Sequence, residues 1–160
     1  MVNKMSRSWR NGAEDWVDVW LDSFGQDDGT SPNSSGFGVF WEDGHPWNVS
    51  ENGQGMSKIR CDIAAAIVAI QIAKNNMINT LRLNTSSDFL INFVLDWMPI
   101  WRNNNWRAAD GERVANWTQL KMLSDEFDGT IRIFCNLVSA DNPVYGMEMA
   151  YNLARRAALN

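Results

Sequence analysis

Gly36-Phe37-Gly38-Val39-Phe40-Trp41 is the stretch from which the fold of this chain is read. Its aromatic and β-branched residues suit a β-strand. Glu42-Asp43-Gly44 follows as a turn signal, and residues 45–50 are expected to return as a further strand. Upstream, Trp16-Val17-Asp18-Val19-Trp20-Leu21 has the same strand character and ends at Asp22. A segment rich in Gly, Asp, Ser and Pro, residues 23–35, joins the two. Three strands in a meander therefore open the domain. The Gly36 and Gly38 pair does not suggest a nucleotide-binding loop, because no helix follows it.

Downstream, the spacing predicts a helix over residues 56–74. Ile59, Ile63, Ile67 and Ile70 fall on one stripe there, with small alanines between them. Residues 80–85 alternate as Leu81-Arg82-Leu83-Asn84 and predict a half-buried strand. Thr85-Ser86-Ser87-Asp88 offers hydroxyls able to cap a helix running through Phe89-Leu90 and Phe93-Val94. Pro99, Asn103-Asn104-Asn105 and Asp110-Gly111 mark a loop-rich protrusion that contains Trp97, Trp101 and Trp106. A helix fits residues 114–127. Asp128-Gly129 turns into a strand over residues 131–135, and a last helix from about Val144 places Ala150, Leu153, Ala154 and Ala157 on one face. The order implies an α/β domain, a mixed sheet covered by helices. With no internal repeat or linker, residues 16–160 read as one domain, and residues 1–15 as a polar, flexible N-terminal lead-in.

A chain of 160 residues can bury one core without disulfides. Cys61 and Cys135 show neither a CxxC pattern nor a His-rich neighbourhood, which favours free thiols and an intracellular setting. The first ten residues contain no apolar segment typical of a secretory signal, and no run of 18 apolar residues suggests a membrane span. Without a signal, the Asn-x-Ser/Thr triplets at Asn48, Asn84 and Asn116 read as coincidences. The net charge of -5 argues against an extended basic face for a phosphate backbone. Nine tryptophans are unusual. Most are expected in the core, and any exposed ones would serve stacking or partner contact.

From Trp16 to about Ala158 these landmarks, in their order, resemble an RNase H1 domain of the eukaryotic type. The resemblance is carried by Gly36–Trp41, Gly44-His45-Pro46, Asn48-Val49-Ser50, Arg60 and Ala64-Ala65-Ala66-Ile67. It continues through Thr85, Ser87, Trp97, Trp101, Trp106, Gly111 and Asn116, and closes on Gly146, Glu148, Ala150, Leu153, Ala154 and Arg155. It implies the RNase H-like fold, a five-stranded mixed sheet flanked by helices. It also implies cleavage of the RNA strand of an RNA–DNA hybrid by two Mg²⁺ ions held on four carboxylates. Asp22 matches the first acid, and Asp62 falls where the family has Glu. Ser86 and Tyr151 stand at the third and fourth acidic positions. The family's mobile-loop histidine is replaced around Asp141, and the single histidine, His45, lies in the strand-turn region.

In the family's clamp on the DNA phosphate, this chain has Gly55 at the Arg position, Ser57 at the Thr position and Asn116 at the Asn position. Lys58 and Ile59 occupy positions that touch ribose hydroxyls, and Asp28 occupies a polar contact in the first loop. Three readings follow. The leading expectation is a pseudoenzyme that has no cofactor and serves as a protein-interaction scaffold in an RNA-related complex. In the second, the domain binds an RNA–DNA hybrid or double-stranded RNA without cleaving it, through Ser57, Lys58, Arg60, Trp97, Trp101 and Asn116. The third is a weak or altered metal-dependent ribonuclease H using Asp22 and Asp62, helped by Glu148 or Asp141.

Overall fold

The computed structural model describes residues 7–10, 14–25, 34–142 and 144–160. Its strands are β1 (Arg7–Arg10), β2 (Glu14–Gly25), β3 (Ser35–Phe40), β4 (Val49–Asn52), β5 (Thr80–Thr85) and β6 (Arg132–Leu137). The helices are α1 (Lys58–Asn75), α2 (Asp88–Asn92), α3 (Met98–Asn103), α4 (Trp117–Glu126) and α5 (Tyr145–Leu159). A π-helical turn, Phe93–Trp97, joins α2 to α3. The sheet order β4-β3-β2-β5-β6 is the expected five-stranded mixed sheet. The first three strands run antiparallel, and β2, β5 and β6 pair in parallel.

Two boundaries differ from the sequence expectation. Part of the expected lead-in is strand β1, which pairs antiparallel with the start of β2. The return strand begins only at Val49 because residues 42–47 are occupied by a wider turn. In that turn His45 accepts a hydrogen bond at Nδ1 from the Trp47 backbone N–H, 3.1 Å away. A further difference is α3, which places Pro99 and Trp101 in a helix where a loop-rich protrusion was expected; the remaining elements start and end within a few residues of their expected positions.

β2 divides its side chains between two layers, as the period of two in a strand requires. Val17, Val19 and Leu21 join Phe37, Val39, Trp41, Leu81 and Leu83 in the core that packs on α1. From α1, Cys61, Ile63, Ala66, Ile67 and Ile70 enter that core. Ile59 does not; it is 40% exposed, because it lies in the first turn beyond the sheet. On the other face, α5 crosses β3 at very short range. A Cβ on Gly38 would lie 2.2 Å from the Ala150 carbonyl oxygen, and one on Gly36 would lie 2.5 Å from that of Ala154. Close helix packing is the physical use of the Gly-x-Gly pair.

Beyond the reach of α5, the same sheet face carries a buried polar network. The Arg82 guanidinium donates to both carboxylate oxygens of Asp18, and the Asn84 amide donates to Asp18 Oδ1 at 3.1 Å. Asn136 Nδ2 extends the chain to Asn84 Oδ1 at 2.9 Å. β5 is therefore buried on both faces rather than half-buried. No described helix is long and apolar enough to cross a membrane.

Candidate functional site

The sheet end formed by β2, β5 and α5 gathers three of the four positions expected to hold metal. Asp22, Ser86 and Tyr151 line one cavity of about 210 Å³ together with Ser139, Met147 and Glu148. Asp22 lies on β2 opposite Gly38 of β3, and Ser86 directly follows β5. Tyr151 and Glu148 are one helical turn apart on α5, which puts them on the same side. Tyr151 is 40% exposed, and its ring packs on Phe24 with centroids 6.1 Å apart. Asp141 is not among the lining residues; its backbone N–H donates to Ser139 Oγ at 3.2 Å.

Asp62, on the first turns of α1, reaches Asp22 through Ser23. The Ser23 backbone N–H donates to Asp22 Oδ1 at 2.8 Å, while its hydroxyl donates to Asp62 Oδ1 at 2.5 Å. Lys58 completes the cluster. Its ammonium donates to Ser23 Oγ at 2.9 Å and lies 3.8 Å from Asp62 Oδ2, one turn along the helix. Burial pushes the Asp22 carboxyl up to about 6, with the Asp62 charge adding to the rise and the Ser23 N–H and Lys58 opposing it. Asp62 is raised as well, chiefly by burial, with Lys58 and the Ser23 hydroxyl opposing.

Next to the acids, the N-terminus of α1 is joined to the start of α4. Ser57 caps α1 by accepting the Arg60 backbone N–H at Oγ, 3.3 Å away. The Arg60 side chain donates from Nε to Asn116 Oδ1 at 2.8 Å. Asn116 is held there by a left-handed backbone, φ 60°, immediately before α4. Ser57, Lys58, Arg60 and Asn116 therefore form one continuous surface. Gly55 precedes it at φ 83°, a conformation an arginine would adopt only with strain. Asp28 lies outside the described residues.

Trp97 and Trp101 form a separate stacked pair, with centroids 5.4 Å apart and planes inclined by 29°. Each is also seated on the core, Trp97 against Phe89 and Trp101 against Phe93. The arginines of the protrusion are engaged locally. Arg102 donates to Ser124, Arg107 to the Gly111 carbonyl and Arg113 to the Asn105 carbonyl. Among the tryptophans with described side chains none is exposed, so the expected aromatic contact surface for a protein partner is not formed by them.

A family model described as RNase H matches residues 25–159. The chain belongs to the RNase H family. It is 34% identical to Ribonuclease H1 of Homo sapiens over 148 residues, covering 90% of this chain and 50% of the human protein. It is likewise 34% identical to Ribonuclease H1 of Mus musculus over 143 residues, 89% of this chain and 50% of that protein. The chain thus spans about half the length of these curated relatives. Among solved structures, LC9-RNase H1, a type 1 RNase H with the type 2 active-site motif, superposes with a TM-score of 0.72 at 17% identity. That match covers 88% of this chain and 71% of the other. A foamy viral protease-reverse transcriptase in complex with RNA/DNA hybrid gives 0.70 at 20% identity, over 88% of this chain and 20% of that one.

Family membership corrects two expectations. The relatives are named as ribonucleases, which overturns the assignment of a non-enzyme from Ser86 and Tyr151 alone. Exchange of two carboxylates for hydroxyls lowers the negative charge available to a cation there. RNase H enzymes use divalent metal ions such as Mg²⁺, which overturns the expectation of no cofactor. The residues present fit such an ion. Asp22 supplies a hard oxygen donor to the cavity that Glu148 and Ser86 also line, and Asp62, outside that lining, adds a second carboxylate whose charge is felt at Asp22. Mg²⁺ commonly binds one or two carboxylates and completes its shell with water and substrate phosphate. Among the described residues no group of three or more His, Cys, Asp or Glu is placed to hold a metal ion.

Ser23 links the acids and Lys58 is the ion-pair partner of Asp62. The spacing of Lys58 and Asp62, four apart on a helix, was the available signal. Nothing in the sequence marked Ser23, whose role comes from the sheet-to-helix packing.

Proposed function

We propose that residues 16–160 form an RNase H1-type domain that binds RNA–DNA hybrid duplexes and cleaves the RNA strand slowly with a divalent cation. The observation that carries this reading is the Ser57–Arg60–Asn116 cluster, set beside Asp22 and Asp62. Arg60 and Lys58 offer positive charge to phosphate, and the Ser57 hydroxyl and Asn116 amide offer hydrogen bonds at the same helix end. Trp97 and Trp101 present the edge of an aromatic pair whose main anchorage is the core.

Asp22 and Asp62 would hold the cation, with Glu148 and Ser86 facing it from α5 and the end of β5. When bound, such a cation neutralises phosphate charge and polarises a water for attack. Ser23 orients both carboxylates through its N–H and hydroxyl. Hydroxyls at Ser86 and Tyr151 supply no negative charge, which is the reason for expecting a slow reaction.

Fluorescence anisotropy with a labelled RNA–DNA hybrid tests recognition. Binding at low ionic strength, weakened by Arg60→Ala, is expected; no detectable binding there sinks the proposal. Cleavage is tested with Mg²⁺ or Mn²⁺ under single-turnover conditions. Metal-dependent product that disappears in Asp22→Asn supports the catalytic part, and product unaffected by Asp22→Asn removes it.

A further inference from the structure

We infer that Lys58 is a built-in counter-ion of the acidic pair and competes with a divalent cation for it. The inference deepens the proposed function and rests on its reading of Asp22 and Asp62 as the cation site. Three contacts define the arrangement. Lys58 Nζ donates to Ser23 Oγ at 2.9 Å, Ser23 Oγ donates to Asp62 Oδ1 at 2.5 Å, and Lys58 Nζ lies 3.8 Å from Asp62 Oδ2. Both oxygens of Asp62 are thereby engaged, one by a hydroxyl and one by an ammonium. The Asp62 side chain is only 8% exposed while that of Lys58 is 44% exposed, so solvent screens the pair from the lysine side alone. A divalent cation arriving at Asp62 meets a positive charge already in place 3.8 Å from Oδ2, and like charges that close to one carboxylate repel.

The lysine is also placed to leave. It is the first residue of α1, its side chain is 44% exposed, and its stem passes beside Gly25 at the end of β2. A Cβ on Gly25 would lie 3.3 Å from Lys58 Cβ, so the glycine keeps the path of the stem open. Four rotatable methylene links let the ammonium swing outward while the helix stays fixed. Ser57 and Arg60 flank it at the same exposed helix end. Ammonium displacement would free Asp62 Oδ2 without any backbone movement.

Calorimetric titration of the full chain with Mn²⁺ alone tests the inference, comparing wild type with Lys58→Gln. Removing the ammonium is expected to tighten Mn²⁺ binding by roughly tenfold. An isotherm no tighter than that of wild type, or no Mn²⁺ binding by the variant, overturns the inference. A measurement on the wild-type protein guards against a folding defect in the variant. Mn²⁺ should speed acylation of Lys58, read by peptide mass spectrometry, while leaving the solvent-facing Lys121 unchanged. Equal acylation of Lys58 with and without Mn²⁺ also overturns it. Neither readout contains nucleic acid, so loss of hybrid binding would sink the proposed function and leave these results standing.

Discussion

Burial holds the Asp22 carboxyl at about 6, against 3.8 for the free side chain. The folded protein therefore binds a proton that the unfolded chain has already released between these two values. The sign follows directly: this stabilising contribution is complete below about pH 4 and is lost as pH rises through about 6. After allowance for partial exposure, the loss amounts to about 2 kcal/mol. Asp22→Asn should remove it and leave the variant more stable than wild type above pH 6, in urea unfolding followed from pH 4 to 8. A wild-type curve that is flat over that range contradicts the prediction. Arg60 belongs to the same scale. If it touches one phosphate, Arg60→Ala should weaken hybrid binding uniformly across sequences and reduce the slope of log K against log salt by about 1.

α5 and β3 meet through glycine, and that contact decides how close the helix comes to the sheet. Gly38→Ala would drive a methyl group into the Ala150 carbonyl, where the nearest atom is backbone and cannot rotate away. A loss of about 3 kcal/mol is expected in thermal or urea unfolding. The same variant should shift Glu148 and Tyr151 relative to Asp22, because those two ride on α5 while Asp22 sits on β2. At β5, Arg82→Ala leaves the Asp18 carboxylate buried with one amide donor, Asn84, in place of its guanidinium. Breaking a buried pair in this way costs about 3–5 kcal/mol. Asp18→Asn combined with Arg82→Met should recover much of the loss, since the charge is removed along with its partner. The strand pattern Leu81-Arg82-Leu83-Asn84 showed the alternation of this element, but a polar residue in it reads as solvent-facing by default. Only the pairing of β5 with β2 and β6 reveals that Arg82 and Asn84 are buried by mutual hydrogen bonding.

Across the whole molecule, charge is distributed unevenly. The net charge of -5 coexists with Lys58, Arg60 and Asn116 on one edge, while the protrusion's arginines are tied to their own loop. Hybrid binding through so few cations should be weak and should show a shallow log–log salt slope of about -2 to -3. Anisotropy titrations at a series of salt concentrations would measure it. A slope near -8 would require a wider basic face than these residues provide.

Most of the architecture is legible in the sequence, with β1 and α3 as the elements it does not mark. Order and periodicity of apolar residues, together with the Gly36-to-Trp41 strand and the alanine-rich helix, specify which elements form and in what sequence, because these patterns are local. The resemblance also pointed to Asp22, Asp62, Ser86 and Tyr151 as the positions where the family has its acids. Tertiary structure alone decided what surrounds them. Ser23 bridges the two acids, Lys58 turns toward Asp62 rather than outward, Glu148 shares the cavity with Asp22, and Trp97 with Trp101 leans on the core. Those relations join residues from different elements, at distances set by how α1 and α5 pack on the sheet. No local pattern encodes them, since the electrostatics of a carboxylate depend on its burial and on neighbours remote in the chain.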